Sequence, residues 1–230
     1  MGADEHHLTA TALITEAPDT MSATVKTRMN YAVPHLMSAA MFSRRVGEIE
    51  AKHSGQAFGS FWEEILAYAT ATVFLSVAAL ESYANELFVD MDQNFPGVGN
   101  ELLETLWTAY EEKRVFEKFD LALLLRGAPR LVRGAEPFQS VHALVGLRNA
   151  LIHFKPEWEP AEHKQLSSRL RNFFKPSEFL ADDPGLFPRA WASHDCTVWA
   201  LTAVLRFIEH FENCAGLPHK MANFSDRLRG

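Results

Sequence analysis

Residues 60–91 read SFWEEILAYATATVFLSVAALESYANELFVDM, and this stretch decides the fold. Phe61, Ile65, Leu66, Val73, Phe74, Val77, Leu80, Ala84, Leu87, Phe88 and Met91 recur at helical steps, not at the two-residue step of a strand. The stripe is wide, so the helix is expected to bury more than one side. Ser60 offers an N-cap oxygen and Glu63 a capping-box partner, which starts the helix there and runs it to about Asp92. Two polar residues interrupt the apolar face. Glu81 stands where leucine would fit, and Asn85 lies one turn later on the same side. A carboxylate in that position calls for a partner, because an unpaired charge taken out of water is costly.

On either side the same period continues. Pro34 opens a shorter amphipathic helix to about His53, with Leu36, Met37, Met41, Val46 and Ile49 on its apolar side and Ser54-Gly55 at its end. Beyond the Pro96-Gly97-Val98-Gly99 turn, a third helical stretch covers about 100–126; its acidic part, 110–120, reads as an exposed face or a break. Gly127, Pro129 and Gly134 mark a loop, and Pro137 begins a helix that Pro156 and Pro160 stop near 154. A short helix at 161–174 and a turn at Asp182-Asp183-Pro184-Gly185 precede a last helix at about 189–214. No stretch alternates as a strand over a useful length. The expected fold is an all-α antiparallel helical bundle, with 1–33 a flexible N-terminal segment, 34–218 the helical domain and 219–230 a C-terminal tail.

Composition bounds the function. At 230 residues and 47% apolar, the chain suits one domain with a sizeable core, and its 17 Phe predict helix faces packed by large side chains. A net charge of −7 argues against a general nucleic-acid coat. The local basic groups Arg126, Arg130, Arg133 and Lys164, Arg169, Arg171, Lys175 read as solvated faces. Cys196 and Cys214 fall on one helix about 27 Å apart along its axis, too far to pair. Reduced thiols, no basic-then-apolar leader and a polar-poor run, 69–80, too short to span a bilayer together predict a soluble, cytoplasmic protein with no membrane partner. No HExxH, Cys-x-x-Cys, P-loop or Gly-x-Ser-x-Gly pattern occurs, so neither a metal nor a cofactor is expected.

The most pointed stretch is Leu147-Arg148-Asn149-Ala150-Leu151-Ile152-His153-Phe154. The bare arginine-to-histidine spacing recurs at Arg189–His194, where alanine follows the arginine and Ser193 or Asp195 would cap a helix start; that copy reads as coincidence. The first copy lies late in an apolar helix, has Asn149 behind its arginine, and is followed by Lys155-Pro156. On a helix Asn149 and His153 are about 40° apart, whereas Arg148 and His153 are about 140° apart and need a long side chain or an unwound end to meet. Arg148 is also the candidate partner for Glu81.

An arginine, a polar residue, three residues and a histidine resemble the motif of the HEPN superfamily of helical domains. The segment 78–88, with Glu81 and Asn85 among apolar residues, is similar to the early long helix of many such proteins. The resemblance covers about 60–155 and, with the last helix, the central and C-terminal two-thirds of the chain. It implies a two-fold homodimer in which two motif helices form one cleft, and a metal-independent endoribonuclease activity. His153 would be the general base or acid, Arg148 would hold the scissile phosphate, and Asn149 would orient either one. Glu81 and Asn85 would be the supporting polar network. Because other relatives are non-catalytic, an alternative is a HEPN-like module that binds RNA, a nucleotide or a protein partner, an antitoxin-like one among them, in a toxin–antitoxin or phage-defence setting. A purely structural helical dimer with the same residues in a buried network is the remaining alternative.

Overall fold

The computed structural model describes residues 9–15, 22–156, 161–180, 185–224 and 227–228. The described chain is mostly helical. Its helices are α1 (Ala32–His53), α2 (Phe61–Val89), α3 (Met91–Asn94), α4 (Asn100–Tyr110), α5 (Val115–Leu125), α6 (Phe138–Ile152), α7 (Ala161–Leu170) and α8 (His194–Ala215). Ahead of them, and against the expectation of no strand, β1 (Thr9–Thr15) and β2 (Ser22–Arg28) pair antiparallel from Thr9 opposite Arg28 to Thr15 opposite Ser22. These segments are rich in Thr and contain Val and Ile, residues that favour extended backbone, but they are too short and too weakly alternating to announce themselves. The hairpin ends on a bidentate ion pair, Arg28 Nη1 and Nη2 donating to Asp90 Oδ1 and Oδ2 at 2.9 and 2.8 Å.

Helix α2 is the axis of the molecule, packed by α1, α5, α6 and α8. It runs antiparallel to α1, as the contacts Ala32–Glu86, Ala39–Thr72 and Phe42–Tyr68 show. Buried residues such as Ile65, Val73, Val77, Leu80, Tyr83, Leu87 and Phe88 occupy more than one side of it, which is what the wide stripe implied. By length and composition α2 could cross a bilayer, so judging the apolar run too short is corrected. Here its apolar surface is spent on neighbouring helices, and it carries the buried Glu86.

Between α2, α5, α6 and α8 lies an aromatic cluster. Phe119 meets Phe207 and Phe211 edge-on with centroids 5.0 and 4.8 Å apart, and Phe116 lies 4.8 Å from Phe138. Offset and edge-on pairs of this kind add about 0.5–1.5 kcal/mol each beyond burial. Helix α8 is fixed at both ends. The Ser193 hydroxyl accepts from the Cys196 N–H at 3.1 Å, and Gly216 closes the other end with a φ of 63°.

Three expected boundaries move. Ser60 is itself helical in backbone and makes no capping bond, so the proposed box with Glu63 does not form. The stretch 100–126 is two helices broken at 111–114; the second is capped by Glu117, whose Oε2 accepts from the Arg114 N–H at 3.0 Å. The last helix starts at His194, behind a kinked turn at Leu186–Ala190 in which Phe187 is extended. Of the predicted turn at 182–185, all but Gly185 lies outside the described residues.

Candidate site at the end of helix α6

Helix α6 is stopped by its own sequence. His153 is the C-cap residue, its N–H donating to the Asn149 carbonyl at 2.9 Å, and Pro156 cannot continue the ladder. Leu144 and Leu147 are fully buried one turn earlier, which fixes the helix against α2 and α8. Asn149 and His153 therefore face solvent, flanked by the exposed apolar side chains Ile152 and Phe154. Neither Asn149 nor His153 makes a side-chain hydrogen bond to the described residues.

Arg148 turns the other way. Its Nη2 forms a short ion pair with Glu81 Oε1 of α2, the partnership that the misplaced carboxylate demanded. The arginine side chain is 21% exposed and the glutamate 46%, so the pair sits at the boundary of the core. Only one such bond is made, and the Arg148 Nε–H is buried without a partner. Arg28 uses both arms of its fork on Asp90, and Arg148 does not.

Asn85 finds a partner that the sequence reading did not name. Its Oδ1 accepts from Lys118 Nζ of α5 at 2.7 Å. Lys118 is nearly buried, and its ammonium lies 5.2 Å from the centroid of the Trp107 ring. Burial lowers its proton affinity, while the carboxylates of Glu81 and Glu111 act in the opposite sense. Sequence reasoning missed Lys118, since nothing in its neighbourhood marks it. The only signal was a lysine at a position that the α5 stripe of Val115, Phe119 and Ala122 would otherwise bury.

The structure thus joins Glu81, Asn85 and Arg148 into one cluster with Lys118, and leaves Asn149 and His153 at its solvent edge. The second arginine–histidine copy is resolved as a local cap, with Ser193 capping α8 and His194 in its first turn. Among the described residues no cluster of His, Cys, Asp or Glu could hold a metal. Cys196 is buried and Cys214 exposed, and neither is in a disulfide. Arg126 and Arg133 do not offer free charge. Arg126 donates to three carbonyls, and Arg133 pairs with Asp120 at 2.5 Å.

A second polar network lies on another side of the same stretch of α2, at Tyr83 and Glu86. Glu212, 1% exposed, accepts from the Tyr83 hydroxyl at 2.8 Å and from the Lys220 N–H at 3.1 Å. Burial raises its proton affinity against those donors. Glu86 accepts from the Ala32 N–H at 2.9 Å and pairs with Lys220 Nζ at 3.3 Å, tying the C-terminal segment to the start of α1. An open cavity of about 490 Å³ beside this network is lined by Leu201, Leu205, Glu209, Glu212 and His219, with none of the motif residues in it. No family model matches the chain, and neither a curated protein nor a solved structure does.

Proposed function

We propose that the chain is a HEPN-like helical bundle acting as a two-fold homodimer, and that it cuts RNA without a metal at a cleft where two α6 ends meet. The supporting observation is the exposure of Asn149 and His153 at the end of α6 while Arg148, directly before Asn149, is held by Glu81. A histidine at a helix end, open to solvent, is free to take a proton from a ribose 2′-hydroxyl or return one to the 5′-oxygen. A guanidinium with unused donors suits a phosphodiester, because its planar fork matches two phosphate oxygens. Attack by the 2′-oxygen would expel the 5′-oxygen and leave a cyclic phosphate and a 5′-hydroxyl. Exposed Ile152 and Phe154 beside the motif supply apolar surface for the facing protomer. The setting is cytoplasmic, where RNA is at hand and the thiols stay reduced.

The test is cleavage of mixed RNAs in excess chelator by purified protein, with light scattering to follow the dimer. Wild type is expected to cut, and Arg148→Ala and His153→Ala are each expected to lose at least about 100-fold in rate, the usual worth of a transition-state charge donor and of a general acid or base, with the dimer intact. Cutting that persists in both variants sinks the nuclease reading. A second reading is favoured by one observation: Arg148 is already occupied by Glu81. In it the chain is a non-catalytic module that binds RNA, a nucleotide or an antitoxin-like protein. Wild type that binds RNA and never cuts it selects that reading.

A further inference from the structure

The Arg148–Glu81 pair poses a problem for any ligand with a phosphate. Drawing the guanidinium away leaves Glu81, a carboxylate only half exposed, without its cation and only partly screened by water. A replacement cation is close at hand. Lys118 Nζ is bonded to Asn85, one helical turn from Glu81 on the same face of α2, and the Glu81 charge is felt at Lys118. Among the described residues no ion pair within 4.0 Å joins Lys118 to Glu81, so the lysine is beside the carboxylate without yet holding it. An ammonium is suited to such a move, being a point charge on a flexible stem that can rotate from an amide oxygen to a carboxylate.

We propose that Lys118 is a positioning residue which takes over Glu81 when Arg148 turns to the phosphate of a single-stranded RNA. The hand-over keeps Glu81 neutralised in both states and lets Arg148 leave at small cost. It rests on the reading of Arg148 as a phosphate ligand, but its electrostatic core can be measured without RNA. Removing Arg148 by substitution imitates its departure.

The experiment is urea unfolding of Arg148→Met, Lys118→Met and the double variant, each with Glu81 and with Glu81→Gln. If Lys118 takes over Glu81, the double variant loses more than the product of the single losses in folding constant, by a further factor of about 3 to 100. The excess vanishes with Glu81→Gln. A lysine that merely packs its stem on Trp107 gives simple products in both backgrounds, and that result overturns the proposal. Should the double Met variant not fold, Arg148→Gln and Lys118→Gln, which keep hydrogen-bonding ends, give the same comparison. Anisotropy with a fluorescent single-stranded RNA decamer completes the test. Lys118→Met is expected to weaken binding at least about threefold, within the usual range of coupled neighbours, and unchanged binding counts against the hand-over. A wild type that ignores the RNA while the Glu81-dependent excess persists removes the phosphate reading and leaves the electrostatic hand-over standing.

Discussion

Gly47 sits in mid-helix, where glycine costs about 0.5–1 kcal/mol relative to alanine. His194 explains its presence, because a Cβ at Gly47 would come within 2.9 Å of the imidazole Cε1 and Nε2. Gly47→Ala is expected to destabilise by about 1–3 kcal/mol through overpacking, and urea unfolding should show most of that loss disappear in a His194→Ala background. A neutral Gly47→Ala would contradict the packing. The same contact predicts a pH effect. Burial lowers the proton affinity of His194 from its ordinary 6.5, with the Asp195 charge opposing more weakly. The folded chain then takes up this proton less readily than the unfolded chain does. Its stability contribution is complete above that value and falls as pH drops through 6.5 toward the lower folded value. His142 is shifted the same way, so the measurement is the loss between about pH 8 and about pH 5.5 in wild type minus that in His194→Ala; equal losses would assign the effect elsewhere. Residue-scale chemistry was partly legible in the chain itself. Glu81 announced a cationic partner because it broke an apolar stripe, and Arg148 answered it. Lys118 was invisible because its role depends on where α5 lies against α2, which local pattern does not contain.

Helix ends separate what local pattern encodes from what tertiary structure imposes. Ser193 caps α8 as its side chain suggests, whereas Ser60 makes no cap because its backbone already lies in the helical region. The break at 111–114 was hidden by acidic residues that read equally as a solvated face. The β1–β2 hairpin was hidden by its short, Thr-rich strands. Arg126 is the strongest case of an end satisfied from a distance. The last turn of α8 holds no basic residue, and Arg126 at the end of α5 donates to the carbonyls of Ala215 at 2.7 Å, Asn94 at 3.0 Å and Gly216 at 3.1 Å. One guanidinium thereby joins the ends of α3, α5 and α8, and sits at the negative end of the α8 dipole. Arg126→Met is expected to cost about 1.5–3 kcal/mol, the worth of bonds to a charged donor. Arg126→Lys should recover only part of it, since a single ammonium cannot reach three divergent carbonyls. Chemical denaturation of both variants checks this, and full recovery by lysine would show that charge alone suffices.

At the scale of the molecule, the helical period made the class of fold legible, while the proposed meeting of two copies leaves no periodic trace in one chain. Charge sets the remaining constraint. A net −7 repels RNA except where cations are held in place, and most candidate basic residues cap helices, pair with acids or lie on exposed faces. On the proposed reading, with Lys118 serving Glu81 rather than RNA, each protomer would offer the strand chiefly Arg148, and a dimer would contact about two phosphates. Each phosphate neutralised on a single strand contributes about 0.7 to the slope of log affinity against log salt. RNA binding by wild type is therefore expected to fall with a shallow slope of about −1.4, and Arg148→Ala should bring it toward zero. Anisotropy titrations across a range of salt concentrations measure it directly. A slope of about −4 or steeper would mean that a broad basic surface, such as the exposed side carrying Lys164, Arg169 and Lys175, binds the strand instead, and the cleft at α6 would lose its claim to the substrate.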